Sequence, residues 1–431
     1  MNEHASSILG PVLTAPREGA PSRAAVFRSY FNGAAVAATF VLSLLVLPAS
    51  EHPFSTPKLV FLGAAVCAGV AFAAFGGLLH RRVLPTLFRI VFACWLAVLG
   101  ASASFAPVAS LPDLLLPLLA VAWCLLIMTV RPRAEHVALA LVLSGAVVAC
   151  VALLQFLGVD PFALGGWMPL ITANPRMHVF ATLGNPNFVA ALLVSLAPLT
   201  YSLRTIFPAR RRLLSGILAV DVLAIAAAGS RAAVLAFLAI LLWLAVLRRV
   251  RGWRWLLASL GLAAAAVLLL APARSLSVTL RGRAYIWHVA APHITEHPIL
   301  GSGPGSFVVE YPEWERIRWG AGDVPSEARV FAGPEDHAHN DYLEFAVENG
   351  FGGLAGFLAV VVTLLVFLWR RSGSDGRGLV TGATAGVVAL MAIALVDFPL
   401  HRPAETFVFW TLLGIAHLRA TNAGARSVQT D

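Results

Sequence analysis

The feature that most limits how this chain can fold is a succession of apolar runs. About twelve of them are close to the roughly 20 residues a helix needs to cross a bilayer. They fall at 33–49, 59–79, 87–105, 111–130, 136–158, 186–203, 213–228, 232–247, 254–271, 350–369, 379–396 and 405–418. Apolar residues make up 59% of the 431 and charged residues only 12%, about half the charged share of a water-soluble domain. A soluble globular fold is thereby excluded. The expectation is an all-α integral membrane protein with about 12 transmembrane helices, since an isolated span in lipid must satisfy its own backbone hydrogen bonds. Pro48, Pro112, Pro117 and Pro198 lie in or beside these runs, where neighbouring helices can re-satisfy the freed carbonyls.

Charge gives the orientation. Most of the 31 basic residues cluster in alternate gaps between runs: Arg81, Arg82 and Arg89; Arg131 and Arg133; Arg204 and Arg210 to Arg212; Arg248 to Arg254; Arg370, Arg371 and Arg377. This is the asymmetry of cytoplasmic loops. It predicts both termini in the cytoplasm. It divides the chain into a disordered tail (1–31), spans 1–9 (32–271), one large outer loop (272–349), spans 10–12 (350–418) and a short tail (419–431). A signal peptide over residues 23–50 would remove the first span and break the alternation. The formal charge of +9 therefore reports topology, and no nucleic-acid partner is expected. Cys67, Cys94, Cys124 and Cys150 each fall in a different apolar run, as small buried hydrophobes do. The chain shows no internal repeat and no half-to-half symmetry of the transporter kind.

The outer loop carries most of the chemistry. Arg281, Arg283, Tyr285, Trp287 and Val289 read as a short amphipathic helix that ends near Pro292 or Pro298, with Tyr285 and Trp287 suited to the membrane interface. Gly301-Ser-Gly-Pro-Gly305 reads as a turn, with no helix clearly following, and 308–335 as a polar stretch broken by Gly and Pro. Asp341 with Glu344 three residues on has the spacing of a capping box, so His339 would sit just before a helix N-terminus that favours an anion. His337-Ala-His339, with His288, His293 and His297 in the same loop, also raises metal binding. No carboxylate is spaced as a further ligand, so no metal is expected. Structural and catalytic or anion-binding roles for His339 stay open beside it.

Two further features lie in apolar surroundings. Gly229-Ser230-Arg231 separates two runs too long together for one helix, so it reads as the tip of a hairpin. An arginine there is costly unless it faces a cavity or an anion. Asp221 in the preceding run is too far along the helix to pair with it and is expected to bind polar groups on another helix. Asn185-Pro186-Asn187 reads as a helix cap and start, with amides that could also line a cavity.

These motifs together resemble the O-antigen ligase/polymerase superfamily over roughly residues 170–415. They are Ser230-Arg231-Ala232, Arg283-x-x-x-Trp287, Pro298-x-x-Gly301-x-Gly303-x-Gly305-x-Phe307 and His339-Asn340-x-x-Leu343-x-x-x-x-Glu348-x-Gly350. The resemblance implies a multi-pass glycosyltransferase of the bacterial inner membrane, of GT-C type and working without a metal or other cofactor. Its donor would be an undecaprenyl-diphosphate-linked glycan presented from the membrane lipid. Its acceptor would be lipid A–core for a ligase, another lipid-linked repeat for a polymerase, or a protein hydroxyl for an O-glycosylating enzyme. Carried over, Arg231 and Arg283 clamp the diphosphate with Arg281 as a helper. His339 acts on the acceptor hydroxyl or binds the phosphate, and Asn340, Glu348, Asn185 and Asn187 contact substrate. A lipid-linked oligosaccharide flippase is the non-enzymatic alternative.

The orientation can be checked by cysteine labelling. Ser326→Cys should react with a membrane-impermeant maleimide added outside, and Ser374→Cys should not; the opposite pattern would invert the topology.

Overall fold

The computed structural model describes residues 22–78, 86–105, 111–169, 177–247, 273–323, 330–331, 333–371 and 377–427. These form helices and loops, with no strand among the described residues. In chain order the helices are α1 (Arg23–Leu42), α2 (Thr56–Phe75), α3 (Thr86–Ala103), α4 (Leu111–Val130), α5 (Ala134–Phe156), the short α6 (Pro161–Leu164) and α7 (Pro186–Ile206). They continue with α8 (Arg211–Ala228), α9 (Arg231–Leu247), α10 (Ala273–Ala290), α11 (Ser306–Gly320), α12 (Asp341–Arg371), α13 (Arg377–Ile393) and α14 (Pro403–Ser427). Seven of them, α1 to α5, α7 and α12, are long and apolar enough to cross a membrane. The protein is an all-α, multi-pass membrane protein. Helices occupy all but one of the expected spans; the remaining one, 254–271, lies outside the described residues.

The bundle is centred on α7, which packs against α5, α8, α9, α13 and α14. Its start is set locally: Asn185 Oδ1 accepts the Asn187 N–H at 2.9 Å, and Pro186 occupies the first turn, where no N–H is needed. The hairpin expected at Gly229 is present. Gly229 ends α8 in the left-handed region (φ 64°), and α9 begins at Arg231.

Four local expectations need correction. Helix α1 begins at Arg23, capped by Ser22, so residues 23–31 are helical rather than part of a tail, and the chain leaves the helix after Leu42 instead of near 49. Lys58 then gathers the following turn: its Nζ donates to the carbonyls of Leu45 at 2.7 Å and Thr182 at 2.8 Å and to that of Phe54. Helix α11 does follow the glycine loop, despite Pro312. Its buried face is Phe307, Tyr311 and Trp314, at helical spacing within a polar stretch. Tyr285 and Trp287, expected at the membrane interface, pack into the protein. Tyr285 is buried in a small core with Ile286, Val289, Phe307, Tyr311, Trp314 and Val347, and Trp287 packs on its edge. Asp221 is buried, but its Oδ1 meets no hydrogen-bond partner, so the expected polar contact is not formed there.

The segment that follows α10 is fastened to the bundle by backbone contact. Helix α12 is broken at Gly350 (φ 64°), and the glycine loop lies against the break. Ser302 N–H donates to Val347 O at 3.1 Å and Gly303 N–H to Glu348 O at 2.8 Å; in return Phe351 N–H reaches Pro298 O at 2.8 Å and Gly352 N–H reaches Ile299 O at 3.1 Å. Any side chain at Gly301 would collide with the Glu348 carbonyl, and one at Gly350 with that of Ile299. Ser102 of α3 adds a hydrogen bond to Glu348 O at 3.0 Å.

Gly301→Ala and Gly350→Ala should therefore each destabilise by about 2–4 kcal/mol or prevent folding, since strain and overlap act together. Gly322→Ala, equally left-handed at φ 75° but with open space around it, should cost only about 1 kcal/mol. Thermal unfolding in detergent would compare the three.

Candidate functional site

Asn185, Asn187, Arg231 and Arg283, distant in sequence, line one cavity of about 420 Å³. Met177, Gly229, Thr279, Leu280 and Val396 complete much of its wall. The N-termini of α7 and α9 open onto it, so the cavity receives the positive ends of two helix dipoles as well as two guanidinium groups. Burial pushes the Arg283 pKa down and the Arg231 charge adds to this, while Asp397 opposes it. Two cations are thus held together in a partly desolvated pocket, an arrangement suited to a multiply charged anion. Arg281 is exposed and is not part of the lining. Two residues before Arg283, it lies on a different side of α10.

His339 sits at a strained turn, with φ 51°, a conformation few non-glycine residues adopt. Its Nδ1 lies 3.7 Å from Asp397 Oδ1, and its ring packs edge-on against Phe398. Helix α10 supports this turn: Trp287 Nε1 donates to Ala338 O at 2.8 Å. One turn apart on that helix, Arg283 faces the cavity and Trp287 holds the histidine segment.

The helix cap differs from expectation. Asn340, not Asp341, caps α12, its Oδ1 accepting from Tyr342 N–H at 3.0 Å and Leu343 N–H at 3.1 Å. Asp341 turns instead to His401, with 2.6 Å between Oδ1 and Nδ1, and accepts the Leu400 N–H. Glu344 reaches back to His337 Nδ1 at 2.7 Å and to Ala338 N–H at 2.8 Å. Glu348 is buried and accepts the Phe307 N–H at the start of α11. Of the two expected at the substrate, Asn340 caps its own helix and Glu348 engages the backbone at the start of α11.

The turn between α13 and α14 supplies residues that the sequence motifs did not single out. Asp397 is buried beside His339, and Arg402 lies 3.9 Å from Asp397 and 3.6 Å from Glu405. Burial alone would raise the Asp397 carboxyl; Arg402, His339 and Arg283 hold it down at about 2. The signal was there to read, since Asp397, His401 and Arg402 form a charged cluster between two apolar runs, where ionisable residues are costly.

A ligand group for metal exists where none was expected from spacing. His337, Glu344 and His401 bring their donor atoms within 4.8 Å of one another. Glu344 and His401 come from downstream elements rather than from the His-rich loop, and His293 pairs with Glu296 at 2.9 Å instead. Hydrogen bonds already engage the Nδ1 atoms of His337 and His401, so the group works as a network that ties α12 to the last turn.

Residues 214–358 match the family described as O-antigen ligase. Over that stretch the chain is similar to the O-antigen ligase superfamily. The match spans Arg231, Arg283, the glycine loop, His339 and the Gly350 break, and so covers both halves of the backbone clasp. No curated protein matches the chain. The match indicates a ligase- or polymerase-like membrane enzyme, glycosyltransferase-like in kind. Asn185, Asn187 and the Asp397–Arg402 turn lie outside the matched stretch but border the same site.

Two outcomes follow. Burial lowers the His401 pKa, but Glu344, Asp341 and Glu348 together raise it well above 6.5. Its contribution to stability is therefore complete below about pH 6.5 and is lost as pH rises through the raised value. Melting measured from pH 6 to 9 should fall in wild type and flatten in His401→Gln. His337→Ala should lower stability by about 1–3 kcal/mol, because it leaves buried Glu344 short of a partner.

Proposed function

We propose that this protein transfers a glycan from an undecaprenyl-diphosphate carrier to an acceptor hydroxyl at the periplasmic face of the bacterial inner membrane. In this reading it is an O-antigen ligase with lipid A–core as acceptor. The observation that carries it is the convergence of Arg231 and Arg283 at two helix N-termini in one cavity, whose lining residue Val396 precedes Asp397, the carboxylate beside His339.

The chemistry follows from that geometry. The acceptor oxygen attacks the anomeric carbon, the bond from that carbon to the diphosphate breaks, and undecaprenyl diphosphate leaves with the electron pair. Two guanidinium forks match the diphosphate oxygens and offset the charge it gains. They supply the positive charge that a metal ion would otherwise supply. His339 accepts the acceptor proton, and Asp397 orients its ring and stabilises the imidazolium that forms. The strained backbone at His339 is consistent with a position shaped by function. An O-antigen or exopolysaccharide polymerase, or a protein-glycosylating enzyme, would use the same donor cavity with a different acceptor.

Transfer from a lipid-linked glycan to lipid A–core by the purified protein should persist in EDTA; abolition by EDTA and rescue by a divalent cation would overturn the metal-free reading. Arg231→Ala or Arg283→Ala should lose on the order of a hundredfold or more, with partial recovery by Lys, which lacks the planar fork. His339→Ala should also lose at least about a hundredfold. Wild-type activity in Arg231→Ala would remove the clamp assignment.

A further inference from the structure

A second, larger cavity of about 630 Å³ lies on the other side of the α7 start: Gly184 and Phe188 line it, while Asn185 and Asn187 line the arginine cavity. Its size is that of sites for ligands of several hundred daltons, which run roughly 300–1,000 Å³. Its chemistry is different from its neighbour's. The charged groups around it are of both signs, with Glu51, Asp336 and Glu405 against Lys58 and Arg402. Lys58 is spoken for by its three carbonyls.

Arg402 is buried, yet none of its three side-chain nitrogens makes a hydrogen bond. Its guanidinium lies flat over Phe188, 3.6 Å from the ring centroid. Glu405 Oε1 is also buried without a hydrogen-bond partner. Buried donors and acceptors left unmade are costly, and here they lie side by side on one cavity wall. Trp167 adds an aromatic surface.

We infer that this cavity is the acceptor subsite, and that its ligand is a polar, uncharged saccharide unit. The inference rests on the transferase reading above. A sugar hydroxyl both donates and accepts, so it can satisfy Glu405 and Arg402 together; its CH face can lie on Trp167 or Phe188. Mixed charges disfavour a diphosphate here, whereas the neighbouring cavity offers two arginines and, among the described residues, no lining carboxylate. One end of this cavity also lies near the histidine: Phe188 packs against Phe398, and Phe398 against His339, so a hydroxyl bound at that end would be separated from the histidine by a single aromatic ring.

The test uses the full-length protein in nanodiscs. Ser50, on the cavity lining, is replaced in Ser50→Cys, and its labelling by an impermeant maleimide is timed with lipid A–core or with sugar-free undecaprenyl diphosphate. Lipid A–core should slow labelling at least about fivefold and undecaprenyl diphosphate should not. Protection by undecaprenyl diphosphate, or by neither, would overturn the assignment even if transfer occurs. Independently, Trp167→Ala should raise the acceptor KM about tenfold with kcat nearly unchanged, the mark of lost ground-state binding. An unchanged acceptor KM in both Trp167→Ala and the cavity-filling Ala404→Trp would likewise overturn it. Failure of the wild-type protein to transfer any glycan would instead remove the transferase reading, leaving the protection result to decide what the cavity binds.

Discussion

The site depends on one close approach of two backbones. At the break in α12, Gly301 and Gly350 each sit against the other strand's carbonyl, and four hydrogen bonds close the contact. Neither position has room for a Cβ. This contact fixes the loop that leads into α11 directly to a long apolar helix of the bundle. With α10 tied to the same segment through the small aromatic core and the Trp287–Ala338 hydrogen bond, Arg283 and His339 become parts of one rigid frame. Without it, the helix of Arg283 and the turn of His339 would lack a common support, and loops seldom hold catalytic geometry unless a scaffold positions them.

Electrostatics then divides the frame. On one side the lining cations are Arg231 and Arg283, reinforced by two helix N-termini. On the other, acids and bases alternate around aromatic rings. Asp397 stands between, beside His339 and within reach of Arg402. A buried carboxylate in such a place is stable only because cations surround it. It also couples the two sides, since Arg402, His339 and Arg283 together keep Asp397 ionised.

Much of the architecture was legible in the sequence, because apolar length and arginine alternation are strong signals in a membrane chain. Arg231 stood out for the same reason, as a cation that an apolar hairpin would not keep without cause. Other parts were hidden by ambiguity of local signals. Asn340 and Asp341 are both good caps, and spacing alone favoured the wrong one; the choice is made by His401, sixty residues away, which takes the Asp341 carboxylate. Pro312 and the charges around it masked α11, whose Phe307, Tyr311 and Trp314 stripe was readable only as periodicity. Trp287 looked like an interfacial residue because nothing in sequence reveals that Ala338 needs a donor. The glycines of 301–305 suggested a turn, and only the paired break at Gly350 shows why Gly301 leaves no room for a side chain.

The most direct test of this account is a structure of the protein in a lipid nanodisc with an undecaprenyl-diphosphate-linked glycan bound. The account predicts the diphosphate between Arg231 and Arg283, at the starts of α7 and α9, with the first sugar facing His339. A diphosphate seated instead in the cavity of Lys58, Trp167 and Arg402 would contradict it.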